Sequence, residues 1–292
     1  MNKTYRKKLR QLEMSAKKSV LDVFWGAYHS AYKGKGLEFD DLREYVPGDD
    51  ARAICWTKTA QMRRPFVKTF KEERDLIVML LVDISRSTLF QSDSDAKREY
   101  MAKIAALLAF SAIYNHDRVG LVLFSSRVEK YVPPRRGVKH GTRLIQELLN
   151  FQGKEMGTDV SVPLAFLLKA VPRRSICFLF SDFFAPSFDR ALSLAAKKND
   201  LVLACVRSSQ ENKIAPFGLM NFLDIEKEES LLIDIDKSVA EFYSKSQKEA
   251  WNLFLKGCKK RGATAVSFAT DEPFEKKLIS FFKEKKRRQS RI

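Results

Sequence analysis

From Asp75 to the C-terminal end, short unbroken apolar runs alternate with stretches of helical periodicity. That alternation predicts an α/β chain: a mostly parallel sheet with helices on both faces. Three observations carry the expectation. The runs "LIVMLLVD", "RVGLVLFS", "SICFLFSD" and "DLVLACVRS" are too short for helices and apolar at successive positions, as strands covered on both faces must be. Between them lie stretches such as "AKREYMAKIAALLAFSAIYNHD", with Ala and Leu at helical spacing. Small polar residues gather at the ends of the runs, where loops leave a parallel sheet.

Residues 1–72 break this pattern and read as an N-terminal extension packed on the main domain. They begin with the basic, amphipathic "MNKTYRKKLRQLEMSAKKSV" and pass through a glycine hinge, "KGKG". Pro47-Gly48-Asp49-Asp50 is a turn, with Asp50 placed to cap a short helix. "RPFVKTFKEE" has the composition of a strand. Leu37, Phe39, Leu42, Tyr45, Ile54 and Trp56 read as docking contacts with the main domain. Arg43, Asp49, Asp50, Arg52 and Lys58 read either as partner-facing groups or as a fixed lattice of ion pairs.

The main domain is expected over residues 73–282. Ser94-Asp95 opens its first helix. "RVEKYVPP" suits an edge strand, because two prolines remove ladder donors. "GTRLIQELLNF" and "VSVPLAFLLKAV" are helices, the second with Pro163 tolerated in its first turn. "SFDRALSLAAKK" is the next helix. "KSVAEFYSKSQKEAWNLFLKGCKKRG" is a long one closed by Gly262, "ATAVSFAT" a last strand and "PFEKKLISFFKEKK" a last helix. Tyr114 and Phe124 are expected in the core. Residues 207–235 receive no element, and residues 283–292 read as a basic, frayed tail.

Composition bounds the function. The 292 residues are 45% hydrophobic with 22 Phe, enough for a sizeable core. No apolar run approaches the roughly 20 residues that cross a bilayer, and the N-terminus lacks a secretory apolar stretch. A cytoplasmic protein is expected, with its basic ends open to a peripheral membrane contact. The net charge of +17 favours acidic partners. Because the charge gathers at the two ends and in "MRRPFVK" and "PPRRGVKHGTR", solvated faces rank above nucleic-acid binding. Cys55, Cys177, Cys205 and Cys258 form no C-x-x-C pair, and His29, His116 and His140 are scattered. Neither a zinc site nor a nucleophile–base–carboxylate trio can be assembled from these spacings. Cys177 and Cys205, inside apolar runs, read as buried reduced thiols.

Right-handed crossovers place every loop that follows a parallel strand on one edge of the sheet. Asp83, Ser85 and Ser87 follow one strand and Asp182 another, so they should share a crevice. In Asp83-Ile-Ser85-Arg-Ser87 the alternate side chains can converge. Carboxylate and hydroxyl oxygens are hard ligands suited to Mg²⁺ or Mn²⁺. Alone, this motif reads equally well as a helix-capping loop. Thr158 in "MGTDV" and Asp182 in "FLFSDFF" supply the missing donors in a workable order.

D-x-S-x-S, then G-T-D, then S-D after a buried strand resembles the metal-ion-dependent adhesion site of a von Willebrand factor A domain. The resemblance covers roughly residues 73–270 and implies a Rossmann-like sheet and a Mg²⁺ site. Ser85, Ser87 and Thr158 would bind through their hydroxyls, and Asp83 and Asp182 largely through water, with a partner's Asp or Glu completing the shell. The preceding "GKGLEFDDLREYVPGDDARAICWTKTAQMRRPFVKTFKEERD" is very similar to the signature of a bacterial family called domain of unknown function fifty-eight. That resemblance implies a MoxR-type AAA+ ATPase, or its client, as partner. The reading that results is a non-enzymatic, metal-dependent adaptor. Two alternatives stand beside it. One is a metal-dependent phosphotransferase using Asp83, although Ser85 stands where haloacid dehalogenase-like enzymes carry a second Asp. The other is a basic nucleic-acid or membrane-surface binder.

Overall fold

The computed structural model describes Tyr28 and residues 36–73, 76–85, 94–151, 153, 157–183, 187–208, 214–224 and 229–289. These fall into two compact units, one over residues 36–76 and the other comprising Tyr28 and residues from Ile77 onward.

In the smaller unit, β1 (Gly36–Glu44) pairs antiparallel with β2 (Phe66–Glu73), with a register shift between Phe39 and Asp41. Gly48, at φ +110°, takes the left-handed conformation that the turn after β1 requires. The Asp50 carboxylate accepts from the Arg52 N–H and caps a single 3-10 turn, Ala51–Ala53. A short helix α1 (Trp56–Met62) follows. Val67 is buried, but Trp56, read from the sequence as a docking contact, is 71% exposed. A two-stranded ribbon with one short helix has little interior in which to bury an indole.

The larger unit runs β3 (Ile77–Asp83), α2 (Ser94–Tyr114), β4 (Arg118–Phe124), β5 (Val128–Arg135), α3 (Val138–Asn150), α4 (Ser161–Ala170), β6 (Ile176–Ser181), α5 (Asp189–Lys198) and β7 (Asp200–Arg207). After these come β8 (Gly218–Asp224), β9 (Glu229–Ile235), α6 (Lys237–Lys260), β10 (Thr264–Ala269) and α7 (Phe274–Gln289). Among the described residues the main sheet has six strands in the order β10-β7-β6-β3-β4-β5, all parallel except β5, which runs antiparallel to β4. This is a mixed α/β architecture, a mostly parallel sheet flanked by helices.

Side-chain alternation along the central strands feeds two helical layers. Met79, Leu81, Cys177, Leu179, Leu201 and Leu203 pack with Leu164 and Leu167 of α4, Leu192 and Ala195 of α5 and Cys258 of α6. On the opposite face Phe178 meets Phe282 of α7 edge-on, at 6.5 Å between ring centroids. Ala106 and Phe110 of α2 pack with Ile145 of α3. Burial on both faces is why Val78–Val82 can be an unbroken apolar run with no exposed surface.

Three elements differ from the expectation. Gly218–Asp224 and Glu229–Ile235 pair as antiparallel strands, β8 with β9. Their Leu219, Leu231 and Leu232 are exposed, which erased the inside–outside alternation that marks a strand. The basic stretch from 283, expected to fray, continues α7 as far as Gln289. There Lys285 reaches back to an ion pair with Asp200 at the start of β7. Tyr114, expected in the core, is 38% exposed at the end of α2, whereas Phe124 is fully buried. Among the described residues no helix is long and apolar enough to cross a membrane.

Candidate metal centre

From β3 the chain goes to β4 on one side, while β6 occupies the other, so the sheet's direction of winding reverses beside β3. Sites in such sheets form at the strand ends bordering that reversal. β3 ends in Asp83 and β6 in Ser181, and the parallel register that pairs Val82 with Phe180 sets these two ends side by side. Ser181 donates its hydroxyl to Asp83 Oδ2 at 2.7 Å. The Ser85 N–H donates to Asp83 Oδ1 at 2.9 Å, and the Ser85 hydroxyl also bonds the carboxylate.

Asp83, Ser85, Ser181 and Asp182 are all buried. Desolvation outweighs the hydrogen bonds and, with the neighbouring Asp182 charge, pushes the Asp83 carboxyl up to about 6. Asp182 has a different environment. Its Oδ2 faces Lys97 Nζ at 3.7 Å, with both side chains below 10% exposed. Its backbone carbonyl accepts from Arg207 Nε at 3.3 Å and Nη2 at 3.0 Å.

A third loop reaches the same edge through backbone bonds. The Ile84 N–H donates to the Phe124 carbonyl at 2.8 Å, tying the ends of β3 and β4. The next residue, Ser125, accepts at its carbonyl from the Asp159 N–H at 3.1 Å. Thr158 therefore sits one residue from a bond to the β4 end. Gly157, at φ +85°, makes the turn into it, and Asp159 accepts from the N–H of Ser161, the first residue of the following helix, at 2.8 Å. Gly153 lies against Ile84: a Cβ there would come within 2.9 Å of the Ile84 carbonyl.

Thr158 Oγ1 is buried and has no hydrogen-bond partner among the described residues. A buried hydroxyl is normally satisfied, and one left over calls for an unseen oxygen-binding group or a water. The available donors at this edge are hydroxyls and carboxylates, a set that fits Mg²⁺ or Mn²⁺. Among the described residues no three His, Cys, Asp or Glu are gathered for a metal, so an ion here would depend on hydroxyls.

The structure thus bonds Ser85 to Asp83, sets Asp182 at the adjoining end of β6 where its charge is felt at Asp83, and brings Thr158 to the same sheet edge. Ser87 lies outside the described residues. Ser181 and Lys97 were not foreseen as site residues. The "S-D" that ends β6 carried a signal for Ser181, whereas nothing in the sequence near Lys97 marked it. Elsewhere, Arg43 forks onto Asp49 at 2.8 and 2.6 Å, and Asp49 Oδ2 also accepts from the Val46 N–H at 2.9 Å. Arg43, Asp49 and Asp50 hold their own turn. Arg52 is exposed and Lys58 half-buried.

The family described as "Protein of unknown function DUF58" matches residues 41–251. Uncharacterized protein Rv1480 of Mycobacterium tuberculosis is 25% identical over 285 residues, covering 96% of this chain and 89% of that protein. Among solved structures, the conserved hypothetical protein BatB from Bacteroides thetaiotaomicron is similar at 14% identity and a TM-score of 0.46. It covers 73% of this chain and 99% of its own. The SpRpn10 VWA domain is similar at 10% identity and a TM-score of 0.41, over 71% of this chain and 95% of its own.

Proposed function

The chain belongs to the family described as Protein of unknown function DUF58, and from its strand-end site we propose a metal-dependent protein-binding module without catalysis. The observation that supports this most is the buried Thr158 hydroxyl, without a partner among the described residues, on the same edge as two buried carboxylates and the Ser85 hydroxyl. Asp83, Ser85, Thr158 and Asp182, together with Ser87, would hold Mg²⁺ or Mn²⁺. When bound, such an ion supplies a Lewis-acidic position for an outside carboxylate, its neutral hydroxyl ligands leaving most of its charge uncompensated.

This chain's own residues do the rest. Ser181 and the Ser85 N–H fix the Asp83 carboxylate, Arg207 fixes the Asp182 backbone, and the buried strand ends exclude water around both. Ser85, in place of a second Asp, leaves no general acid at the position where a phosphotransferase would need one. As partner we assign, on the resemblance of the signature, a MoxR-type AAA+ ATPase or a client of one, contacting the site through an Asp or Glu. The +17 charge would accelerate that encounter and make it sensitive to salt.

The test uses the purified chain and the purified cognate ATPase. Wild type should retain the ATPase in Mg²⁺ and release it in chelator. Asp83→Ala should fold, lose Mg²⁺ binding by titration calorimetry and lose capture. Undiminished capture in excess chelator would overturn the reading.

A further inference from the structure

Lys97 is a buried lysine on the helix that follows the Asp83–Ser85 loop, and buried lysines are rare unless paired. Its position is specific. The two carboxylates of the site have different counter-groups. Asp83 is held by neutral donors, the Ser181 hydroxyl and the Ser85 N–H and hydroxyl. Asp182 faces a full positive charge, Lys97 Nζ at 3.7 Å, in a place where neither side chain retains more than 7% of its surface. Solvent screens such a pair weakly.

We propose that Lys97 is an internal cation that competes with the metal for Asp182, a positioning residue that sets the affinity of the site. The inference rests on the metal-site reading above. In the metal-free protein, Lys97 neutralises Asp182, so the edge where β6 ends keeps its arrangement without an ion. When a divalent cation approaches Asp182, it meets the ammonium at short range in a poorly screened pocket. Binding then requires Lys97 to withdraw from Asp182 or the ion to share the carboxylate with it.

Either outcome lowers metal affinity. Where the carboxylate is shared, the site also carries one more positive charge than the ion and the two carboxylates alone would give. An outside carboxylate is the group that relieves that excess. Lys97 thus links metal retention to the presence of an acidic partner: the ion is held loosely alone and tightly once the partner's Asp or Glu completes the shell.

The test measures Mg²⁺ and Mn²⁺ affinity of the full chain by titration calorimetry for wild type, Lys97→Met, Lys97→Gln and Lys97→Arg, with Asp83→Ala as the binding-dead control. Removing the charge should tighten metal binding at least tenfold in both neutral variants, while Lys97→Arg stays near wild type. In chelator, Lys97→Met should melt below wild type, and added Mg²⁺ should raise its melting temperature by more than it raises that of wild type. A second measurement needs no variant. The Lys97 ammonium resonance of ¹⁵N-lysine-labelled wild type should be protected from exchange in chelator and, on adding Mg²⁺, lose that protection if Lys97 withdraws or shift if the carboxylate is shared.

Equal or weaker metal binding in the neutral variants, or an ammonium signal indifferent to Mg²⁺ in a chain that binds it, overturns the role of Lys97 and leaves the metal site standing. Absence of metal binding in wild type as well as in Asp83→Ala overturns the site itself, and the competition with it.

Discussion

Asp83 and Asp49 are both hydrogen-bonded aspartates, and their carboxyls move in opposite directions. Asp49, in the turn after β1, takes a two-pronged bond from Arg43 and a backbone bond from Val46, and these hold it below the usual carboxylate range. Asp83, at the end of β3, also has three donors, yet burial pushes it up to about 6. The donors are equal in number, but those on Asp49 include a charged guanidinium and those on Asp83 are neutral and buried, so charge and solvent together decide. At the turn, water covers part of the charge and the Arg43 fork is nearly pure gain. At the strand end, desolvation exceeds what neutral hydroxyls and an N–H return. A site that stores an uncompensated buried charge is one prepared to accept a cation, whereas a turn that satisfies its charge is finished.

The largest expected effect tests that contrast directly. With chelator present, Asp83→Asn should stabilise the protein near neutral pH by about 1–3 kcal/mol, because a rise from 3.8 to about 6 corresponds to at most about 3 kcal/mol. The folded state holds the Asp83 proton more tightly than the unfolded chain does. Its contribution to stability is therefore present below the unfolded value near 4 and is lost as pH rises through about 6. Urea titrations in chelator should show wild-type stability falling across that window relative to Asp83→Asn, and the two running parallel above it. In Mg²⁺ the order should reverse, wild type gaining by ligand binding what the variant cannot. An Asn variant less stable than wild type in chelator would show that the carboxylate is already compensated.

The strands and helices of the larger unit were legible because their physics is local. Val78–Val82 is buried on both faces and reads as a continuous apolar run, while Gly262 and Pro163 punctuate helices by backbone conformation alone. The pairing of β8 and β9 was not legible, since Leu219, Leu231 and Leu232 face solvent and no alternation survives. α7 runs past the helix read from the sequence, to Gln289, and its Lys285 meets Asp200, a contact between distant segments that no window of sequence displays. In the site, Asp83 and Ser85 could be read from a polar cluster at the end of a buried run. The bond from Ser181 to Asp83 spans 98 positions, and Lys97 meets Asp182 from another element, so both needed coordinates. Trp56 stays exposed because its small unit has little interior to enter.

A smaller effect is expected at Thr158, and it separates the metal reading from a purely structural one. Thr158→Val keeps the shape and removes a buried hydroxyl with no partner among the described residues. In chelator the change should stabilise the protein by on the order of 1 kcal/mol, since an unsatisfied buried polar group costs about that or more. Mg²⁺ affinity should fall at least tenfold in the same variant. Chemical denaturation and calorimetry on one preparation give both numbers. A variant that loses stability in chelator and keeps its metal affinity would mean that the hydroxyl serves the fold.

The smallest effect belongs to Arg43→Ala. The guanidinium is half-exposed and its partner Asp49 partly so, which places the pair in the regime where surface ion pairs contribute little. Because Arg43 holds the Asp49 carboxyl below its usual range, what the pair contributes is present above pH 4 and lost as pH falls through the lowered value. Melting curves of wild type and Arg43→Ala should differ slightly at low ionic strength and pH 7, and converge in about 1 M salt, where screening acts within a few ångströms. They should also converge in acid, opposite to the behaviour of Asp83. A loss as large as that of a buried contact, persisting in high salt, would mean that Arg43 acts through packing of its stem and not through the charge it shares with Asp49.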